Sequence, residues 1–252
     1  MDLALWQLAI LVVAGVAGGF INVMAGGGSI ITVPVMMFLG VPGPVANATN
    51  RIPIFAQNVT ACITYLRHGV TQRRLLLTLA LCSIPGAVIG ASVGVRIPAE
   101  QFNLVLAAVM VVVLILMQSR GDSAAHPFSH GPSKAQLIWA HILMVGAGFW
   151  GGFIQIGMGF VLLPILNRVL GLDLVTANIH KVFIILTYTI AALGVFGSQV
   201  PLLWWVGLVM AAGNSLGGWL GAKLTLQGGE KAIRRVLMLA IIVMIIKLVW
   251  FT

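Results

Sequence analysis

The chain has 252 residues, of which 60% are hydrophobic and only 8% charged, and its mean hydropathy is +1.09. So few polar side chains cannot cover a soluble core, which excludes a water-soluble enzyme or binding module and predicts an integral membrane protein. A formal net charge of +9 would suggest a nucleic-acid partner in a soluble chain. Here the Lys and Arg residues sit mostly between long apolar runs, which is the pattern of cytoplasmic loop charge, and no nucleic acid is expected.

A hydrocarbon core of ~30 Å needs about 20 helical residues. Runs that approach or exceed this length cover residues 3–22, 45–66, 75–95, 102–117, 137–154, 175–196, 202–224 and 233–251. The first is too long for a signal-peptide core and follows Asp2 rather than Lys or Arg, so it is read as a retained first span. Two further runs, 29–39 and 160–170, are half-length elements. Pro53 removes a backbone hydrogen bond from run 45–66 and is expected to kink it. Residues 119–136 form a polar cytoplasmic linker between a first transmembrane repeat, 1–118, and a second, 137–252. Its His126 and His130 have no further ligands nearby in sequence and are read as solvated. Cys62 and Cys82 lie inside apolar runs and are read as packing residues. No metal or cofactor is expected.

The division into two follows from a repeat. Residues 18–51 recur in shorter form at 151–181: Gly18-Gly19-Phe20-Ile21 matches Gly151-Gly152-Phe153-Ile154, Asn22 matches Gln155, Pro34 matches Pro164, and Ala46-Asn47 matches Ala177-Asn178. Gly86, Gly90 and Gly94 match Gly213, Gly217 and Gly221, small residues every fourth position that let helices approach closely. Loop charge sets the relative orientation. The loop with Arg67, Arg73 and Arg74 corresponds to an uncharged 197–201, whereas Arg96 alone corresponds to Lys223, Lys231, Arg234 and Arg235. Equivalent loops therefore face opposite sides, which predicts inverted repeats. Inversion requires an odd number of crossings per half. Five each, with both termini outside, is the favoured arrangement; re-entrant hairpins at the short elements would give three.

Two features could carry chemistry. Gly26-Gly27-Gly28 interrupts an apolar stretch, and Gly157-Met158-Gly159 does so in the second copy. Non-helical backbone at membrane depth persists only where protein or a watery cavity satisfies it, and each break opens a half-helix N-terminus that favours an anion. Close backbone packing is the other reading of such glycines. No Gly-Lys-Ser/Thr follows, so they do not point to ATP. The second feature is Asn47, Thr49, Asn50 and Arg51, with Asn178, His180 and Lys181 in the second copy. A cation within a span costs about 2.5–3.5 kcal/mol near the centre. The acids, Asp2, Glu100, Asp122, Asp173 and Glu230, all fall in loops or at ends, so an anionic ligand is the expected partner; snorkelling to headgroups is the alternative. The candidate substrate-binding set is Asn22, Gly27, Gly28, Asn47, Thr49, Asn50, Arg51, Gln155, Gly157, Asn178, His180 and Lys181. His180, with His141 a weaker second, is the titratable group that proton coupling would use. Trp6, Trp139, Trp204, Trp205 and Trp250 suit interfacial anchors, and Trp150 is close enough to the second break to line a site.

In these residues the chain resembles the TauE/SafE family, the sulfite exporter or toluene-sulfonate uptake permeases. The similarity runs through Gly26–Pro34, Ala46-x-x-Thr49-Asn50, Tyr65 with Gly69-Val70, Arg74 beyond, and the repeated small-residue helix. Ala48 and Ile179 stand where the family often has Gly, and His180-Lys181 replaces the usual Thr-Ser or Thr-Asn. The resemblance implies secondary transport of small sulfur-containing anions (sulfite, thiosulfate or organosulfonates) across a bacterial cytoplasmic membrane. The expected fold class is an all-α polytopic transmembrane helical bundle of two inverted repeats with broken half-helices. Its expected partners are a small anionic substrate and the bilayer, with a homo-oligomer left open. A passive anion channel and a carrier of a non-sulfur organic anion are the alternatives; an enzyme is not expected, since no catalytic set is present.

Overall fold

The computed structural model describes residues 4–118 and 131–250, with side chains described at 4–109, 131–233, 235 and 236. Most of the expected linker, including His126 and His130, lies outside the described residues. Every element described is helical: α1 Leu5–Met24, α2 Ser29–Phe38, α3 Gly43–Thr49, α4 Arg51–Arg67, α5 Arg73–Gly94, α6 Ala99–Gln118, α7 Lys134–Phe153, α8 Met158–Pro164 continued by a π turn Ile165–Val169, α9 Leu174–Gln199 and α10 Trp204–Trp250. A non-helical Gly229 (φ 54°, ψ −150°) divides α10 into two. Helices α1, α5, α7 and α9 are long and apolar enough to cross a membrane. As expected, α2 is short, about 15 Å at 1.5 Å per residue, and the stretch from α8 through the π turn is similar.

Local chemistry explains several boundaries. Ser133 and Gln136 exchange side-chain and backbone bonds at the start of α7, a capping box. Asp173 Oδ1 accepts from the backbone of Val175 and Thr176 at 3.0 and 2.9 Å, and Glu230 accepts from Leu174 N at 3.1 Å. Two of the few acids are thus spent on the N-terminus of α9, where the helix dipole favours them. The run expected at 45–66 is divided at Asn50, between α3 and α4. Pro53 is the cause: it has no N–H for the Thr49 carbonyl four residues back, so the break falls one turn upstream of the ring.

Glycines set the packing. An added Cβ on Gly86 or Gly90 of α5 would overlap the carbonyls of Val145 or Phe149 of α7, and one on Gly148 or Gly152 of α7 would overlap Ser83 or Ala87 of α5. The pair α1 and α10 shows the same pattern. Gly213 and Gly217 lie against the carbonyls of Val12 and Val16, and Gly15 and Gly19 against those of Met210 and Asn214. In both pairs the backbones touch, which is how helices associate when side-chain burial from water supplies no drive. Helix α4 lies along α10 and α9 along α5, so residues from both parts of the sequence alternate through the bundle.

The outer surface is apolar, with Leu77, Leu81, Ile138, Ile142 and Leu208 exposed. Trp6, Trp139, Trp204 and Trp205 are each more than half exposed, as interfacial anchors would be, while the Trp250 side chain lies outside the described residues. Overpacking a close contact costs about 1–3 kcal/mol. Gly90→Val and Gly217→Val are therefore expected to lower the unfolding temperature in detergent by several degrees. Gly194→Ala, at a position open to space, is expected to leave it unchanged.

Candidate functional site

Helix α1 stops at Met24 and α2 begins at Ser29; α7 stops at Phe153 and α8 begins at Met158. Both intervening turns use left-handed backbone, at Gly26 (φ +83°) in the first and at Gln155 (φ +61°) and Gly157 (φ +73°) in the second. A left-handed Gln is strained, and its side chain shows what holds it there: Nε2 donates to Thr189 Oγ1 at 2.8 Å, and Oε1 accepts from Arg51 at 3.4 Å. The two breaks cross each other. Gly159 N donates to Gly26 O at 3.2 Å, and a Cβ on either glycine would overlap the other's backbone.

A helix ending in apolar surroundings leaves carbonyls without donors. At the end of α7, the fully buried Arg51 of α4 donates to the carbonyls of Gly151 (3.1 Å), Gly152 and Phe153 (3.5 Å). Its guanidinium carbon sits 4.1 Å from the centroid of the Phe196 ring. Asn47 Nδ2 adds a bond to Phe153 O at 3.2 Å. At the end of α1, the fully buried Lys181 of α9 donates to Asn22 O at 3.2 Å and Val23 O at 2.7 Å. The two cations expected to lack protein partners thus have them in backbone carbonyls. Each C-terminus carries roughly half an elementary negative charge, so the full positive charge of Arg51 faces about half a negative one at the end of α7. No Asp or Glu is buried among the described residues to make up the difference.

The remaining candidates divide around these two ends. Asn178 Nδ2 donates to Tyr65 OH (3.2 Å) and Thr225 Oγ1 (3.1 Å), and Thr225 in turn reaches Met24 Sδ at 3.1 Å, which places Asn178 at the end of α1. Asn50 Nδ2 donates to Ser29 Oγ at 3.2 Å, at the first residue of α2. Asn22 is buried and contributes its backbone carbonyl to Lys181, and Gly28 lies against Gly18 O, with Asn22 Cβ also close. Gly27 lies against the Phe160 ring. Two candidates are drawn elsewhere. Thr49 Oγ1 accepts from Leu203 N at 3.2 Å, and His180 Nδ1 lies 2.9 Å from its own-helix Thr176 O, toward the Gln72 backbone. Trp150, expected to be close enough to the second break to line a site, donates to Ile156 O at 3.0 Å and ties down that break.

Sequence reasoning missed one buried pair, Gln57 and Asn214, joined at 2.8 Å beside Gly15 and Gly19. A period of 3.6 through α4 points Gln57 about 120° away from Arg51, and Asn214 follows Gly213 with no marked neighbour, so only the scarcity of polar residues in an apolar helix could have signalled them. Tyr188 OH is buried beside Gln155 and Arg51 without a well-formed hydrogen bond, and the same holds for Arg51 Nε, Thr32 Oγ1 and Gln57 Nε2. Unused donor groups thus occur close to both breaks.

A polar, cationic centre inside helices with an apolar exterior defines a multi-pass membrane protein. Its relatives narrow the class to membrane transporters. The chain belongs to the TauE/SafE family: the family model described as Sulfite exporter TauE/SafE matches residues 11–248. It is 31% identical over 254 residues to the probable membrane transporter protein ORF9 of a Sinorhizobium species, covering 98% of this chain and 94% of that one. A probable membrane transporter protein of Haemophilus influenzae is 28% identical, with 99% of this chain and 97% of that one covered. The probable membrane transporter protein YfcA of Escherichia coli K12 is 27% identical, with 96% and 90% covered. No solved structure shows a significant match.

Hydrogen bonds to a charged group contribute about 1.5–3 kcal/mol each, and removing the donor strands the carbonyls. Arg51→Gln and Lys181→Met are therefore each expected to lower the unfolding temperature by several degrees without any substrate present. Asn58→Leu, which loses only a 2.7 Å bond to its own Ile54 carbonyl, is expected to cost less. Equal losses in all three would show that the helix ends do not depend on the cations.

Proposed function

We propose that this chain is a secondary transporter of small sulfur-containing anions (sulfite, thiosulfate or organosulfonates) working by alternating access in a bacterial cytoplasmic membrane. One observation carries the reading: the fully buried Arg51 guanidinium at the crossed helix breaks, held by carbonyls and an aromatic ring, with no carboxylate buried among the described residues to neutralise it. A small oxyanion supplies that charge. Its several oxygens suit the donors left over at the breaks, Arg51 Nε and Tyr188 OH beside α7 and Gln57 Nε2 and Thr32 Oγ1 beside α1. The bacterial relatives named as probable membrane transporters, and the family's description as sulfite exporter, agree with this direction.

In the proposed cycle the two sequence repeats are inverted copies that rock about the crossed breaks. Support comes from the matched pairings: α5 on α7 as α10 is on α1, and Arg51 on the end of α7 as Lys181 is on the end of α1. Five crossings per repeat, with both termini outside, fit the loop charges. Proton coupling is assigned to His180, the one titratable imidazole buried in the described helices.

Purified protein is expected to be stabilised selectively by sulfite, thiosulfate or a sulfonate in a panel that includes acetate and chloride; at a hundredfold the dissociation constant the gain is about 2.7 kcal/mol. Tyr188→Phe is expected to unfold at the wild-type temperature yet to need about tenfold more anion for the same shift. A carboxylate as the sole stabilising ligand would overturn the sulfur assignment, and flux without saturation or counterflow would point to a channel. His180→Asn is expected to abolish uptake driven by a pH gradient while sparing counterflow in proteoliposomes; loss of both would remove His180 from a coupling role.

A further inference from the structure

Away from the breaks, α4 and α10 diverge to leave a half-open groove of about 370 Å³. Ile63, Arg67 and His68 line it from α4, and Trp219, Lys223 and Leu226 from α10. Its chemistry is graded along its length. At one end Ile63 and Trp219 are 46% and 41% exposed, and Leu66, Leu216 and Leu220 beside them are also exposed, so this end opens onto the lipid-facing surface. One helical turn further on, four residues along each helix, stand Arg67 and Lys223, with His68 adjacent. Lys223 Nζ lies 5.2 Å from the centroid of the Trp219 ring, so the cation rests on the aromatic face at the boundary between the two zones. The threonine hydroxyls in the wall are already used: Thr60 donates to Ala56 O at 3.0 Å and Thr64 to Thr60 O at 2.9 Å. Among the described residues, no carboxylate lines the groove.

The groove also joins the two segments richest in positive charge. Arg67 leads into the loop of Arg73 and Arg74, and Lys223 into the part of α10 that carries Lys231 and Arg235 around the break at Gly229. Their adjacency places both segments on one side of the membrane, the cytoplasmic side by the positive-inside rule. A soluble anion would find the charged end but gain nothing from the apolar one. A phospholipid matches both.

We propose that this groove binds one anionic phospholipid of the cytoplasmic leaflet, its phosphate held by Arg67 and Lys223 and an acyl chain lying along Ile63 and Trp219. The groove shares no lining residue with the two helix breaks, and lipid binding there does not depend on what the protein carries. Basic recesses between helices at this depth suit such headgroups, and each Lys or Arg contributes about 1 kcal/mol.

The test uses the full chain in nanodiscs of phosphatidylcholine with graded phosphatidylglycerol, with retained lipid counted by native mass spectrometry. Wild type is expected to keep one phosphatidylglycerol, and the double variant Arg67→Gln, Lys223→Gln to bind it roughly thirtyfold more weakly. The variant Arg74→Gln, Lys231→Gln, which removes the same charge from exposed positions outside the groove, is expected to behave as wild type. Unfolding temperatures in pure phosphatidylcholine confirm that both variants fold. Equal weakening in the two double variants, equal retention of phosphatidylcholine, or displacement of the lipid by millimolar inorganic phosphate would each overturn the proposal.

Discussion

A helix that ends inside an apolar medium strands its last carbonyls, and a cation placed in the same medium lacks its hydration; in this protein each difficulty resolves the other. Arg51 closes α7 and Lys181 closes α1, both from fully buried positions. Unsatisfied backbone groups in lipid cost several kcal/mol each, and buried cations cost a similar amount. Neither the helix breaks nor the cations would be tolerated alone. Together they permit irregular backbone deep in the bundle, and that irregular backbone is what gives the molecule a polar interior.

The balance is incomplete in one direction. A helix end carries only fractional charge, so the full charge of the Arg51 guanidinium is not cancelled by the end of α7. Glycine then fixes how closely the charged zones approach. Contact between Gly26 and Gly159 leaves no room for a side chain between the two breaks, and the reciprocal glycines of α5 with α7 and α1 with α10 hold the flanking helices at backbone distance. The irregular backbone and the packing around it are set here by the same few small residues.

Much of this was legible in the sequence, because the features concerned are properties of single residues or of local spacing. Three consecutive glycines in an apolar stretch, a proline one turn after Asn50, and Gly86, Gly90 and Gly94 at every fourth position each have one dominant physical consequence. The half-length α2 followed from counting. What the sequence could not supply was partnership. Arg51 looked in need of an anion because side-chain acids are scarce, yet its partners are main-chain carbonyls of Gly151, Gly152 and Phe153, and a carbonyl leaves no mark in a sequence. The same reason hides the glycines that face the Gly86 series, since Gly148 and Gly152 are recognised only once Ser83 and Ala87 are seen against them. Adjacent His180 and Lys181 looked alike as candidates, but neighbouring residues on a helix point about 100° apart, and only Lys181 meets the end of α1.

The exchange of caps between distant parts of the chain bears on how the protein is made. Asn22 and Lys181 are separated by 159 positions, and Arg51 and Gly152 by 101. During synthesis the end of α1 therefore enters the bilayer long before the lysine that closes it has been translated, and Arg51 arrives before α7 exists. The early helices must wait with exposed carbonyls and an unhoused guanidinium, shielded by the insertion machinery or lingering at the headgroups. These two helix ends can reach their final arrangement only when the second half arrives, so their closure is a late step of assembly.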